Sequence, residues 1–173
     1  MAELVDALDS KSSSGNRVWV RFPLWVQKNY MYTANKQHRY DIAYMRMALE
    51  WAKLSHCTRK KVGALIVKDN MIISDGYNGT PSGFENVCET KKGETKWYVL
   101  HAEANAILKC AKHGQSCKGA DLYLTLSPCK ECSKLIHQAG IKRVIYSKKY
   151  KDTSGIQFLK KAGVEITDLG NEQ

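Results

Sequence analysis

Two short motifs in the sequence contain side chains that can bind a metal ion. His101 and Glu103 open one segment of helical periodicity, and Cys129 and Cys132 open another directly after Pro128. Thiols three residues apart lie on the same face of a helix, so both can bind one ion. One imidazole and two thiolates form a borderline-soft ligand set that suits Zn²⁺. The spacing therefore predicts a zinc site with three protein ligands, the number found in catalytic zinc sites.

Glu103 has a separate role to play beside such an ion. It follows His101 by two residues, about 200° around a regular helix, so the two side chains do not share one ligand direction. Zinc lowers the pKa of a bound water to about 7, so a neighbouring carboxylate need only carry protons. The alternatives are a closed structural zinc site, with Cys57, Cys88 or Cys110 as fourth ligand, and buried thiols without a metal. Both alternatives leave Glu103 without a function.

The elements that must position these motifs alternate between helix and strand. Apolar residues at three- and four-residue steps predict helices from Asp41, as N-cap, and over 102–112, 129–138 and 155–161. Apolar runs predict strands over 62–67, 71–74, 121–126, 143–146 and 164–167, the first two as a hairpin. Residues 76–83 contain three glycines and a proline and are expected to form a loop. This order favours an α/β domain in which helices cover a mixed sheet.

Composition narrows the functional classes. The 173 residues are 43% hydrophobic and carry 27 basic against 17 acidic side chains, a net charge of +10. These values exclude wholesale disorder, and no stretch approaches the roughly 20 apolar residues of a membrane span. The first thirty residues lack the features of a secretory signal, which predicts a cytoplasmic address and cysteines that are free thiols or metal ligands. The positive charge suits a nucleotide or nucleic acid, or serves solubility alone.

The first 36 residues differ from the rest of the chain. A polar run over 10–16 has the composition of a linker, and an aromatic-rich alternation over 18–22 predicts a short strand. The tract is either a genuine N-terminal arm or a translated tRNA-gene-like sequence in front of a native start at Met31. We therefore expect an N-terminal extension over 1–36, poorly ordered or not native, and a catalytic domain over 37–173.

Taken together and in this order, the two motifs resemble the signature of zinc deaminases. The chain is similar to the cytidine deaminase superfamily, and within it to the deoxycytidylate deaminases, from about residue 41 to residue 169. The similarity implies a three-layer α/β/α cytidine-deaminase-like fold with about five strands. Five linked blocks in order carry it. The first four are Ser55-x-Cys57-x-Arg59-x-x-Val62-Gly63-Ala64, Gly76-Tyr77-Asn78-Gly79-x-Pro81-x-Gly83, His101-Ala102-Glu103-x-Asn105-Ala106-Ile107-Leu108, and Tyr123-x-Thr125-Leu126-Ser127-Pro128-Cys129-x-x-Cys132. Further on, Ala139-Gly140-Ile141-Lys142 and Tyr146-x-x-x-Tyr150 also match.

The resemblance implies a hydrolase that deaminates dCMP to dUMP and ammonia and so feeds thymidylate synthesis. His101, Cys129 and Cys132 would hold the catalytic zinc, and Glu103 would carry protons from the water to the ring and to the leaving amine. The remaining implied contacts are a sugar hydroxyl at Asn78, the base edge at the backbone of Ala102 and Ser127, the substrate at Tyr150, the 5′-phosphate at Arg59 or Lys60, and a nucleotide or effector loop at Gly76, Tyr77 and Gly79.

The family also suggests partners. Its members are commonly homo-hexamers, activated by dCTP, with Mg²⁺ on the triphosphate, and inhibited by dTTP. Some hold a second, structural zinc at the positions of Cys57 and Cys88 with further Cys or His, but residues 89–100 contain neither. We therefore expect one zinc ion per chain. Two other functions stay open here: a nucleic-acid base deaminase of the tRNA adenosine type, which suits the +10 charge, and a non-catalytic zinc-stabilised module.

Overall fold

Helices and strands alternate through the part of the chain that the structure, a computed structural model, describes: residues 24–170, with side chains from residue 36. The expected strand over 18–22 lies outside the described residues. The possible start at Met31 falls in the stretch whose side chains are not described. The elements are α1 (Leu24–Lys53), β1 (Gly63–Lys68), β2 (Met71–Tyr77), α2 (Ala102–Lys112), β3 (Asp121–Leu126), α3 (Lys130–Gln138), β4 (Arg143–Lys148), α4 (Ser154–Lys161) and β5 (Glu165–Asp168).

The chain divides into two units, Met1–His38 and Arg39–Gln173, and the second contains every strand together with α2, α3 and α4. The boundary predicted after residue 36 remains a prediction. Among residues 24–170, no helix combines the length and apolar character that a membrane crossing requires.

The five strands form one mixed sheet in the order β2-β1-β3-β4-β5. Strand β1 is antiparallel to both of its neighbours, whereas β3, β4 and β5 are parallel and are joined through α3 and α4. The three-layer α/β/α prediction with five strands is confirmed. Ligand sites in such sheets form beyond the carboxyl ends of the parallel strands, and β3 ends immediately before Ser127-Pro128-Cys129.

Strand β1 shows why helices cover both faces of the sheet. Successive side chains of a strand point to opposite faces, and here both sets are apolar. Ala64 and Ile66 belong to the cluster that includes side chains of α2, α3 and α4. Leu65 and Val67 belong to a second cluster with residues of α1. Burial on both sides therefore fixes the layers and the register of the central strands.

The structure corrects the predicted start of the first helix. Asp41 is not an N-cap, because α1 runs through it from Leu24. Its carboxylate is buried and accepts hydrogen bonds from the Tyr123 hydroxyl at 2.7 Å and from the Arg143 guanidinium. A buried acid needs such partners, so Asp41 holds α1 against strands β3 and β4 instead of ending the helix.

The structure also corrects the predicted glycine loop, which begins later than expected. Gly76 and Tyr77 are the last residues of β2. A Cβ atom on Gly76 would lie 2.4 Å from the carbonyl oxygen of Ala102 and 2.7 Å from the backbone nitrogen of Ala106. Glycine is required there because α2 packs directly on the strand. This packing sets how closely the N-terminal end of α2, which carries His101 and Glu103, approaches the sheet.

Cys57 and Cys88 form a disulfide, with Cα atoms 5.1 Å apart. The expectation of free thiols or metal ligands is wrong for these two residues, because chain folding brings residues 31 positions apart into contact. Cys110, Cys117, Cys129 and Cys132 are free.

We expect reduction of the disulfide to lower the free energy of unfolding by about 2–4 kcal/mol, the range for a loop of this length. Urea unfolding of the oxidised and the reduced protein measures the difference. A Cys57→Ala/Cys88→Ala variant is the control, since its unfolding should not respond to the reductant. Equal stability of oxidised and reduced wild-type protein would contradict the prediction.

Candidate active site

Two metal-ligand candidates occupy helix N-caps. His101 precedes α2 and Cys129 precedes α3, both with extended backbone, and neither side chain caps its own helix. Cys132 lies in the first turn of α3. The N-terminus of a helix carries a partial positive charge that stabilises anions. The two helices therefore supply a favourable field for thiolates while leaving all three side chains available to an ion.

The three donor atoms converge on one point. His101 Nδ1 lies 3.3 Å from Cys132 Sγ and 3.5 Å from Cys129 Sγ, and all three atoms lie within 4.8 Å of one another. Tetrahedral zinc, with Zn–S near 2.3 Å and Zn–N near 2.05 Å, places nitrogen and sulfur about 3.6 Å apart. The donors thus fit a zinc ion almost without movement. No other group of three such ligands occurs among the residues that the structure describes.

Hydrogen bonds between the three ligand candidates lower the pKa of one thiol and raise the pKa values of its two partners. A hydrogen bond from Cys132, assisted by one from His101, lowers the pKa of the Cys129 thiol to about 3. The same contact with Cys129 raises the pKa of Cys132, and the Cys129 hydrogen bond raises that of His101. Zinc binding requires both sulfurs as thiolates and a neutral imidazole, so a bound ion releases the remaining protons.

Glu103 lies beside the cluster without belonging to it. Its side chain is buried, 4% exposed, and lines the same cavity as His101 and Cys129. Burial raises the pKa of its carboxyl group to about 7, against the opposing effect of its own backbone N–H. A carboxyl group that titrates near neutral pH can both accept and release a proton.

The cavity that contains Glu103 has apolar and polar walls. Ser127 donates its backbone N–H to Lys148 O, and its hydroxyl accepts the backbone N–H of Tyr150 at 2.8 Å. Ser127 therefore fixes Tyr150 at the cavity. No sequence pattern indicated the apolar walls, since Val62 and Leu126 resemble ordinary strand-end residues. The lining consists of Val62, His101, Glu103, Leu126, Ser127, Cys129 and Tyr150.

Three other residues predicted to contact substrate have different surroundings. Asn78 accepts the Val62 N–H through Oδ1 at 2.7 Å and donates through Nδ2 to Lys60 O at 2.8 Å. Ala102 is buried in the core. The Arg59 guanidinium donates to Thr95 Oγ1 at 3.2 Å. None of the three lines the cavity described above. Asn78 does bind the backbone N–H of Val62, which lines it.

The residues predicted to form a nucleotide loop brace α2. Tyr77 O accepts a hydrogen bond from Asn105 Nδ2 at 3.0 Å, and Gly79 pairs with Leu100 in an isolated bridge just before His101. These contacts join the end of β2 to residues just before and just after the His101-Ala102-Glu103 motif. The glycine segment therefore has a structural function in this chain.

Gly155 supports the cysteine motif in a way that sequence patterns did not indicate. A Cβ atom there would lie 2.5 Å from both Pro128 O and Ser133 Oγ and 2.9 Å from the carbonyl carbon of Cys129.

We expect Gly155→Ala to destabilise the fold by about 1–3 kcal/mol through overpacking and to speed zinc loss to a chelator. Thermal unfolding and timed zinc release measure both effects. Gln157→Ala, exposed on the same helix, is the control; equal zinc release by both variants would refute the role.

Comparison with known proteins identifies the same region. The family model described as "Cytidine and deoxycytidylate deaminase zinc-binding region" matches residues 38–148. The deoxycytidylate deaminase of Enterobacteria phage T4 is 36% identical, over 66% of this chain and 82% of that protein. The crystal structure of dCMP deaminase from the cyanophage S-TIM5 in complex with dCMP and dUMP is 49% identical, with a TM-score of 0.71, and covers 73% of this chain and 93% of that one. A structure of tRNA:A34 deaminases is 25% identical, with a TM-score of 0.52, and covers 73% and 91%.

Proposed function

We infer that this chain, which belongs to the cytidine and deoxycytidylate deaminase family, is a hydrolase that converts dCMP and water to dUMP and ammonia. The observation that carries this conclusion is the meeting of a His-Cys-Cys ligand cluster and a buried carboxylate in one cavity. Both phage relatives described above are named for the reaction on dCMP.

The ligand set defines what the chain contributes to metal binding. His101 would hold a zinc ion through Nδ1, and Cys129 and Cys132 through their Sγ atoms. When bound, the ion supplies Lewis acidity, which makes a water molecule a competent nucleophile near neutral pH. The N-termini of α2 and α3 stabilise the two thiolates.

Glu103 is the group that moves protons in this proposal. Its carboxylate accepts a proton from the attacking water and gives it to N3 of the cytosine ring. It then accepts the second proton from the new hydroxyl on C4 and gives it to the 4-amino group. The water oxygen forms the new bond to C4, the C4–N bond breaks, and ammonia leaves. Both protons of the water are thereby accounted for. A pKa near 7 suits a group that must accept and then release protons in one cycle.

The cavity walls would position the base. Val62 and Leu126 offer apolar surface to the faces of the ring, which keeps bulk water away from Glu103. The backbone at Ser127, and that at Ala102, would meet the polar edge of the base. A sugar contact from Asn78 would use its second amide hydrogen, because the first is donated to Lys60 O and Oδ1 accepts the Val62 N–H.

We also propose that the chain works in the cytoplasm as a homo-oligomer that responds to dCTP with Mg²⁺ as activator and to dTTP as inhibitor. Support comes from the family resemblance and from apolar side chains exposed between β2 and α2, namely Phe84, Val87 and Trp97. Exposed apolar groups of this kind are typical of surfaces covered in an assembly. Mass photometry with and without each nucleotide tests the assembly, and rate measurements under the same conditions test the response.

A substrate panel tests the reaction itself. The purified protein should release ammonia from dCMP with loss of the cytosine absorbance band, and should leave the adenosine of a tRNA anticodon stem-loop intact. The stem-loop is included because the +10 charge and the shared fold are compatible with nucleic-acid binding. Turnover of the stem-loop without turnover of dCMP would replace the proposed function with RNA editing.

A further inference from the structure

Strands β1 and β3 stop pairing where the cavity that contains Glu103 begins. Their antiparallel pairing ends at Ala64 and Leu124. Val62 and Leu126 lie two positions beyond this pair in the same register, and both line the cavity. Residues directly opposite each other on antiparallel strands share one face of the sheet. The two apolar walls of the cavity are therefore the residues at which the strands would meet if their pairing continued.

A threonine side chain joins the strands between the last pair and the two walls. Thr125 Oγ1 accepts the backbone N–H of Gly63 at 3.0 Å. The two residues lie opposite each other, one position beyond the last pair. Both are buried, with Thr125 only 5% exposed. A side-chain hydroxyl thus takes the place of a backbone acceptor where the strands separate.

Each wall residue is anchored on its outer side to a different strand. The Val62 N–H donates to Asn78 Oδ1 at 2.7 Å, and the Val62 carbonyl accepts the Asn78 N–H at 3.1 Å, directly after β2. Leu126 pairs with Lys148 of β4. The hydrogen bond from Gly63 to Thr125 connects the two anchored walls across the gap between them.

The Gly63 N–H depends on the threonine hydroxyl. Helix α1 packs so closely on Gly63 that a Cβ atom there would lie 2.7 Å from the backbone nitrogen of Ala52. A buried N–H group without a partner is costly. Loss of the hydroxyl should therefore favour arrangements in which the start of β1 shifts to find another acceptor, and Val62 would move with it.

We propose that Thr125 is a positioning residue for the substrate, because its hydroxyl sets the distance between Val62 and Leu126 that fits a cytosine ring. Thr125 is not one of the lining residues and acts through them. This inference rests on the proposed function and assigns part of its substrate binding to one hydrogen bond. Glu103 and the zinc ligands belong to the start of α2 and α3, so the effect should fall on binding of the base, not on proton transfer.

The test compares Thr125→Val, which has nearly the same shape but no acceptor, with Thr125→Ser, which keeps the hydroxyl. We expect Thr125→Val to raise KM for dCMP about 5- to 50-fold, the range for a buried donor left without a partner. Its kcat should change by less than about threefold, because a cavity formed only part of the time weakens binding but is restored at saturation. The inhibition constant of dUMP should rise in parallel with KM. Thr125→Ser should stay within about threefold of the wild type in both constants.

Thr167→Val is the matched control, since it makes the same chemical change in β5, at a half-buried residue outside the cavity lining. It should leave KM and the inhibition constant within about twofold of the wild type. Every variant should bind about one zinc ion per chain, because Thr125 does not belong to the ligand cluster. Urea unfolding measures the stability of each variant. If Thr125→Val does not fold, Thr125→Ala, which also lacks the hydroxyl, replaces it in the comparison.

The outcomes separate this inference from the proposed function. A wild-type protein that neither deaminates dCMP nor binds dUMP would refute the proposed function, and the inference with it. With an active wild type, a less stable Thr125→Val variant that keeps the wild-type KM would show that Thr125 serves only the fold, and would overturn the inference. Equal increases in KM for Thr125→Val and Thr125→Ser would also overturn it, as would a loss confined to kcat or to zinc content.

Discussion

Replacing Glu103 with Gln should lower deamination of dCMP by about 10²- to 10⁴-fold while the variant still binds about one zinc ion per chain. Gln has the same shape but cannot take up and release a proton at neutral pH. Glu103 lies in the cavity beside His101 and outside the His-Cys-Cys ligand cluster, so its loss should leave metal binding intact. Steady-state rates and elemental analysis of zinc on the same preparation measure both quantities.

Glu131→Gln is the matched control for this experiment. Glu131 also lies in the first turn of a helix at the site, but its side chain is exposed and pairs with Lys134 on the helix surface. The control should keep nearly full activity. A Glu103→Gln variant as active as the control would remove Glu103 from the mechanism, and one without zinc would make it a metal ligand instead of a proton carrier.

The core of the site was predictable because its spacing is local. His101 and Glu103 fall within one turn of α2, and Cys129 and Cys132 within one turn of α3. Given these two helices, a shared ion requires only that the N-termini of α2 and α3 lie close together. Strands β2 and β3 run in the same direction, since both are antiparallel to β1, and α2 follows β2 as α3 follows β3. Both helix N-termini are therefore expected at the carboxyl ends of the strands.

What sequence patterns failed to predict depends on partners far away in the chain. Asp41 resembles a helix N-cap until Tyr123 and Arg143, 82 and 102 residues later, supply its hydrogen bonds. Gly76 resembles a loop residue by composition, but its lack of a Cβ atom serves the contact of α2 with β2. The Cys57–Cys88 disulfide and the approach of Lys60 to Tyr150 likewise join separate segments. Local periodicity contains no information on such contacts.

Removing any one metal ligand should abolish both zinc binding and catalysis. We expect His101→Ala, Cys129→Ala and Cys132→Ala to retain well under one zinc ion per chain after dialysis. Each should lose more than about 10³-fold in deamination rate, because bound zinc shifts the pKa of water from 15.7 to about 7. Two remaining donors cannot complete the three-ligand set of a catalytic site.

Cys110→Ala is the control that separates ligand loss from the loss of a buried thiol. Cys110 is buried and free, and it lies in α2, the helix that His101 precedes, but it does not belong to the ligand cluster. This variant should keep its zinc and most of its activity, with at most a small loss of stability from the missing sulfur. If instead a ligand variant kept stoichiometric zinc, the ion would be bound elsewhere. The cavity beside Glu103 would then have to activate water without a Lewis acid, at a cost in rate that a single carboxylate does not recover.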